Sequence, residues 1–439
     1  MGMRKQKVFL TGATGNMGFM GLQELLKDLR QQEVVLLVQD TPKDREKLKD
    51  YENLAGLTIH WGDLTRYEDV YPCVKGADII LHVAALVSPT ADYHPKLAMQ
   101  VNYGGMRNLL RAVHALGMDD TVRLVSIGTI AETGDRMPPI HWGRVGDPIK
   151  PSVFDYYAVS KVAAERLLIE SGLKYWVSLR QTGIMGPAMS RIRDAIMFHN
   201  CLDNVLEYVS DRDSGRLLGN LARETYTGEL PETFWGHIYN IGGGESCRVS
   251  TYEMYRVLYG ALGFQDLRYV IDPKWYATRN FHGQYYLDSD KLENYLHFRH
   301  DSMQYFYDAY LENLGGTAGF SRFLCRLPGG QKLMGSLMKN VFLKQARTEH
   351  GTVHFIEDNV EDHINAFWGS RENWEQLPQD INSFSHFQDW DRVVRLDHGY
   401  DESKPESELT LQDMQQAAAF RGGVCLSTSM RKGGWTSKL

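Results

Sequence analysis

The chain of 439 residues contains no apolar run long enough to span a bilayer. Its opening, MGMRKQKVFLTG, enters a strand directly, with no charged stub and apolar core of a signal peptide, so no leader is expected. Cysteine is scarce. Cys73, Cys201, Cys247, Cys325 and Cys425 are scattered and odd in number, which argues against a disulfide framework and for reduced thiols in a cytoplasmic protein. No pair of them has metal-ligand spacing, so no metal site is expected. An excess of positive charge is missing too: 48 Lys and Arg against 55 Asp and Glu leave a formal charge of -7, with no basic patch for nucleic acid. Low-complexity segments and internal repeats are absent. What remains is ordinary for a globular chain, 43% hydrophobic and 23% charged, and long enough for two or three domains.

Lys7 to Leu10 reads as a short buried strand, followed by Thr11-Gly12-Ala13-Thr14-Gly15-Asn16-Met17-Gly18 and the helical run FMGLQELLKDLR. Glycines between a strand and a helix allow a tight turn and close backbone approach, and the helix N-terminus offers free N–H groups to a pyrophosphate. The alternative is a glycine-rich turn that binds nothing. A second strand, Glu33 to Val38, ends in Gln39-Asp40-Thr41-Pro42-Lys43-Asp44-Arg45, where an adenosine ribose would lie. Asp40 favours a free 2′-hydroxyl, whereas Lys43 and Arg45 favour a 2′-phosphate. NAD or NADP is left open, with a slight lean to NADP.

Further strands lead into Gly62-Asp63-Leu64 and into Val83-Ala84-Ala85. Asp63 could accept from an adenine amino group, and Ala84-Ala85 lets the backbone run close beneath a dinucleotide. A helix holding Asn102 follows, then a strand, Val122 to Ser126, ending in Ser126-Ile127-Gly128-Thr129. Strands and helices alternating at this spacing predict a parallel, doubly wound α/β sheet, with ligands beyond the strands' carboxyl ends. The run FDYYAVSKVAAERLLIES has helical periodicity. Tyr157 and Lys161 are four apart, hence on one face, and an ammonium beside a phenol would favour the phenolate.

In this order, the glycine motif, Asp63-Leu64, His82-Val83-Ala84-Ala85, Asn102, Ser126 and Tyr157-x-x-x-Lys161 resemble the extended short-chain dehydrogenase/reductases. Those include the NAD-dependent epimerase/dehydratases and 3β-hydroxysteroid-dehydrogenase-like reductases. The resemblance covers roughly residues 5–300 and implies a Rossmann fold with a small α/β substrate lobe, mainly 185–300. It implies Tyr157 as general acid/base, Lys161 lowering its pKa and holding the nicotinamide ribose, and Asn102 supporting Lys161. Ser126 would be the catalytic hydroxyl, with Thr129 as the fallback. The cofactor-binding set it implies is Gly12, Thr14, Gly15, Asn16, Met17, Gly18, Gln39, Asp40, Lys43, Arg45, Asp63, Leu64, Ala84, Ala85, Tyr157, Lys161, Gln181 and Thr182. Leu179-Arg180-Gln181-Thr182 departs from the usual Arg-Pro there. A homodimer through the helices bearing Asn102 and Tyr157 is a further implication. The implied reaction interconverts a secondary alcohol and a ketone of a small-molecule substrate; a nucleotide-sugar epimerase or dehydratase with retained NAD is the alternative, and a binding module with a vestigial Tyr-Lys pair a third.

Val87, Trp142, Arg279 and His282 are candidate substrate contacts; packing is the first reading of Arg279 and His282, and a cover for the sheet edge is the alternative for Trp142, which shares with His141 and Arg144 the long Gly- and Pro-rich loop between Thr133 and Phe154. Beyond residue 300 the resemblance ends. A helical extension is expected over 301–350, with Met334, Met338, Val341 and Phe342 as one apolar stripe that packs, covers the site or docks on a membrane surface. Residues 351–439 read as a tail whose ending, RGGVCLSTSMRKGGWTSKL, resembles the opening strands of a zinc module that stops before its ligands.

Overall fold

The computed structural model describes residues 4–136, 140–189, 194–386, 404, 408–420 and 424–430. Seven parallel strands form one sheet: β1 (Gln6–Thr11), β2 (Gln32–Val38), β3 (Leu57–Trp61), β4 (Ile79–His82), β5 (Arg123–Thr129), β6 (Tyr175–Gln181) and β7 (His237–Ile241). Their order is β7-β6-β5-β4-β1-β2-β3. Order reverses between β1 and β4, which opens a crevice beyond their carboxyl ends.

Helices α1 (Asn16–Leu26), α2 (Gly104–Ala115), α3 (Tyr156–Ile169) and α4 (Asp211–Thr227) cover the sheet. Val8 and Leu10 pack with Leu22 of α1 and Leu218 of α4, while Phe9 packs with Leu109 of α2 and Leu168 of α3. Burial on both faces is why β1 reads as an unbroken apolar run. The sheet is thus the doubly wound α/β architecture expected from the alternation of elements.

The lobe follows β6. Its strands are short, Val205–Glu207 pairing antiparallel with Arg248–Ser250, and its core joins Phe198, Tyr208 and Trp275 to Tyr255 of α5 (Thr251–Gly260). The extension holds α6 (Met303–Leu314), α7 (Gly316–Arg326) and α8 (Gly330–Ala346). The expected stripe on α8 splits: Met334, Met338 and Phe342 lean on the lobe core, whereas Val341 is 59% exposed.

Helices α9 (Thr352–Glu357), α10 (Glu361–Trp368) and α11 (Arg371–Glu375) then fold back onto the lobe. Phe355, Ile364, Phe367 and Trp368 bury against Cys201 and Ala277. The Trp368 indole N–H donates to the Tyr276 carbonyl at 3.0 Å, and Thr278 N–H donates to the Phe367 carbonyl at 3.0 Å. At roughly 25 cal/mol per Å² over 150–250 Å², burying Trp368 contributes about 4–6 kcal/mol before entropy. Residues 351–377 therefore belong to the folded body rather than to a tail. Residues 421–423 and 431–439, most of the segment read as a zinc module, lie outside the described residues. Among the described residues no three metal-ligating side chains cluster, and no helix is long and apolar enough to cross a membrane.

Candidate active site

The glycine turn lies at the switch point between β1 and β4. Gly12 has φ +74°, and a Cβ there would come 2.7 Å from Ala84 N and 2.8 Å from Ala84 Cα. Only glycine permits both the left-handed backbone and that approach. The Thr11 hydroxyl accepts from Ala84 N–H at 3.1 Å and pairs with His82 Nδ1 at 2.9 Å, tying the two strand ends together. Burial and the nearby Lys161 charge push the His82 pKa down to about 3, so its imidazole is neutral.

Gly15 caps α1 with no side chain, so the first-turn N–H groups of Asn16, Met17 and Gly18 lack a capping partner and point at the crevice mouth. This is the donor set a pyrophosphate needs, and the turn fits a dinucleotide. The side chains of Met17 and Leu64 are core: Met17 joins the cluster under α1, and Leu64 fills the space above Gly105. The carbonyl of Thr14 accepts from Lys47 Nζ at 2.8 Å, an anchor that no motif signals. Gln39, Asp40, Lys43 and Arg45 are exposed beyond β2. Asp40 and Arg45, which argued for opposite cofactors, form a two-pronged ion pair at 2.5 and 2.9 Å, with Arg45 stacked 4.4 Å over Trp61. Asp63 accepts from Thr65 N–H and hydroxyl, both at 2.8 Å. Ala84 and Ala85 are half-buried.

Tyr157 opens α3. Asp155 caps the helix by accepting from Ala158 N–H at 2.8 Å, and Asp92 accepts from Tyr157 N–H at 3.0 Å. The hydroxyl that lies beside the Tyr157 phenol and favours its charged form is that of Thr129, at the carboxyl end of β5. Thr129 Oγ1 already accepts from Ala131 N–H at 3.2 Å, so its proton is free to be donated. Ser126, preferred over Thr129 on sequence, lies inside the sheet, with His82 and Ser178 beside it on the neighbouring strands. Thr129 is the last residue of β5, and Ser126 is three residues earlier.

Lys161 is buried and donates to the Ile127 carbonyl at 2.5 Å, one turn below the phenol. The expected depression of the Tyr157 pKa is not what the surroundings produce. Burial raises it, the Thr129 hydrogen bond lowers it, and the Glu132, Asp155 and Asp92 charges raise it further, so the phenol is held protonated. Asn102 reaches α3 through Ser160 rather than through Lys161. Its amide donates to Ser160 Oγ at 2.8 Å and to the Leu86 carbonyl at 3.0 Å, and accepts from Leu86 N–H at 2.8 Å.

Beneath this group lies a buried charge cluster that sequence reading does not single out. Arg180 donates to both oxygens of Glu165, at 2.6 and 3.2 Å, and lies 3.3 Å from Glu132. Glu132 accepts from Thr129 N–H at 3.0 Å, closing a capping box that fixes the Thr129 backbone. Burial and the Glu165 charge hold the Glu132 carboxyl above the usual range, and Arg180 holds Glu165 below it. Lys161 feels both: burial lowers its pKa while the two carboxylates raise it. Next to Thr129 across the sheet, Gln181 spends its amide on the Thr182 carbonyl at 3.1 Å and leaves Oε1 buried without a partner among the described residues. Thr182 donates to the Glu207 carbonyl at 2.7 Å.

The four substrate candidates separate. His282 reaches the site, 3.5 Å from Asp155 and stacked on Phe281. Arg279 lines a cavity of about 350 Å³ with Asp135, Lys150, Ser152 and, from α10, Asp362 and Asn365. Val87 is exposed on the loop after β4. Trp142 is packing: it is buried with Val205 and Tyr285, under the Arg144 guanidinium. The C-terminal helices also touch the segments that position Tyr157. Phe154, at φ +68°, stacks on His363 at 4.1 Å, and Tyr93, next to Asp92, stacks on His350 at 3.7 Å.

A family model described as "NAD dependent epimerase/dehydratase family" matches residues 8–223. Human 3 beta-hydroxysteroid dehydrogenase type 7 is 29% identical over 193 residues, covering 41% of this chain and 52% of that protein. UDP-glucose 4-epimerase of Rickettsia bellii is 29% identical over 108 residues, 24% of this chain and 32% of that protein. The chain thus spans only a third to a half of the curated relatives it matches. Among solved structures, dTDP-glucose 4,6-dehydratase from Streptomyces venezuelae with NAD bound superposes with a TM-score of 0.56 at 22% identity, covering 72% of this chain and 98% of that one. The one from Bacillus anthracis, also in complex with NAD, gives 0.55 at 16% identity over 70% and 96%. Sequence match, strand order and glycine turn agree: residues 8–223, just under half of the chain, match the NAD-dependent epimerase/dehydratase family.

Proposed function

We propose that the protein is an NAD-dependent oxidoreductase that interconverts a secondary alcohol and a ketone of a small-molecule substrate. The observation that carries this is the placement of Tyr157 beside Thr129, at the carboxyl end of β5, with buried Lys161 one helical turn further along α3. NAD, when bound, supplies the hydride acceptor or donor. The chain's residues do the rest. The first turn of α1 takes the pyrophosphate, and Ala84 and Ala85 floor the crevice. Thr129 and Tyr157 donate to the substrate oxygen, and Tyr157, held protonated, delivers its proton as charge develops there. Lys161 keeps positive charge under the phenol while the proton leaves. NAD is favoured over NADP because Asp40 already engages Arg45, so a 2′-phosphate would meet a carboxylate and a neutralised guanidinium. Ser126 is assigned no reacting role, and Asn102 a bracing one. A homodimer through α2 and α3 belongs to the same reading, since Val159 and Ile169 expose apolar surface along α3.

The second reading, an epimerase or dehydratase that retains NAD and returns the hydride, is favoured by the cavity at Arg279. Lys150 and Arg279 line it beside Asp135, Asp362, Ser152 and Asn365, a set of donors and acceptors that suits a hydroxylated substrate. One experiment separates the two. Nicotinamide absorbance is followed for wild type and Tyr157→Phe with UDP-glucose, dTDP-glucose and a 3β-hydroxysteroid. Net NADH formation that Tyr157→Phe abolishes supports the first reading. A converted sugar nucleotide with no net absorbance change supports the second, and no turnover with bound NAD on any of the three rejects both for these substrate classes.

A further inference from the structure

Helices α7 and α8 form an antiparallel hairpin around Leu327-Pro328-Gly329. One side of it is anchored. Ala318, Ser321 and Cys325 are buried, Ser321 Oγ donates to the Leu262 carbonyl at 2.8 Å, and Gly335 lies so close to the Tyr269 carbonyl that a Cβ would come within 2.3 Å. The other side is unpartnered among the described residues. Phe320, Phe323 and Leu327 on α7 and its end, and Leu333, Leu337 and Val341 on α8, are 45–66% exposed. Their spacings, three and four residues on one helix and four and four on the other, put each trio on a single face.

Charge singles out this segment as well. Between Glu312 and Glu349 there is no acidic residue, yet there are Arg322, Arg326, Lys332, Lys339, Lys344 and Arg347, in a chain whose overall charge is -7. Arg347 pairs with Glu357, and none of the other five forms an ion pair among the described residues. An exposed apolar face on helices whose other positions carry cations, unpaired among the described residues, is what a helix lying in a lipid interface presents. A second copy fits poorly, because an isologous contact would set this uncompensated positive face against itself.

We propose that the α7–α8 hairpin docks the protein on an anionic lipid surface, with its six apolar side chains entering the interface and Arg322, Arg326, Lys332, Lys339 and Lys344 meeting headgroup phosphates. The inference is independent of the reaction at Tyr157. It places that chemistry beside a membrane through a hairpin that lies on the surface.

The test is cosedimentation of the full chain with vesicles of phosphatidylcholine alone and of phosphatidylcholine mixed with phosphatidylglycerol, at low and high salt. Binding to the anionic vesicles should exceed binding to neutral ones by about tenfold or more and fall with salt. Phe320→Ser/Phe323→Ser/Leu333→Ser/Leu337→Ser should lose binding to both. Lys332→Gln/Lys339→Gln/Lys344→Gln, which leaves the apolar face intact and guards against a misfolded quadruple variant, should lose only the anionic preference. Wild type that stays in the supernatant, or variants that bind as it does, would overturn the proposal. So would a wild type that self-associates by sedimentation velocity while ignoring vesicles, with the serine variant monomeric, since that makes the face a contact between copies.

Discussion

Arg180 is the residue whose removal tests the electrostatics beneath the site. In the folded protein it neutralises Glu165 through bonds of 2.6 and 3.2 Å and stands 3.3 Å from Glu132, all three nearly or fully excluded from water. Arg180→Met leaves two buried carboxyls against each other. Removing one partner of a buried ion pair costs about 3–5 kcal/mol, because the remaining charge is stranded. The cost should depend on pH, and the sign follows from the protons. In the wild type Glu165 titrates below its unfolded value, so its contribution is fully present above about pH 4.3 and is lost as pH falls through its folded value. In the variant both carboxyls titrate above that value, so the native state binds the extra protons and stability falls as pH rises. The gap between wild type and variant should therefore be small near pH 5 and widen toward pH 8, to roughly the full 3–5 kcal/mol. Urea unfolding followed by circular dichroism across that range measures it. A difference that is the same at every pH would refute the reasoning, since it would mean that water reaches the carboxylates and both stay ionised.

Three further expectations follow from the same geometry. Gly12→Ala meets both a left-handed backbone, at about 1–2 kcal/mol, and the Ala84 backbone at 2.7 Å, so calorimetric titration should show NAD affinity reduced at least about tenfold with the fold retained. Asp40→Ser frees Arg45 and removes the carboxylate, and should shift the ratio of NAD to NADP affinity toward NADP; an unchanged ratio would place the ribose elsewhere. Trp368→Ala empties a nearly fully buried site and strands the Tyr276 carbonyl, and should destabilise by about 3–5 kcal/mol in thermal or urea unfolding, an effect that a detached tail would not show.

The cofactor half was legible because its signals are local. Strand, glycine turn and helix follow one another within Lys7 to Leu26, and the fourfold spacing of Tyr157 and Lys161 needs only helical geometry. The surroundings of those two residues were not legible. Asp92 and Glu132 reach Tyr157 from distant segments, and their charges, with that of Asp155 and with burial, reverse the direction expected from Lys161 alone. Ser126 and Thr129 are both small hydroxyls after an apolar run, and only the point where β5 ends tells them apart. Helices α9, α10 and α11 escaped notice because pieces of six, eight and five residues are too short for periodicity to declare itself. Their stability comes from Trp368, Phe367 and Phe355 against the lobe, contacts distant in sequence. Exposure of the α7–α8 face is likewise tertiary. Its apolar residues have the spacing of a core stripe, and only the packing of Gly335 on Tyr269 reveals which side turns inward.

The most direct test of the central claim is a crystal structure of the protein at saturating NAD. It should show the pyrophosphate on the N–H groups of Asn16, Met17 and Gly18, the adenosine ribose at Asp40, and the nicotinamide beside Tyr157 and Thr129. A dinucleotide bound away from the Gly12 turn, or a nicotinamide out of reach of Tyr157, would contradict it.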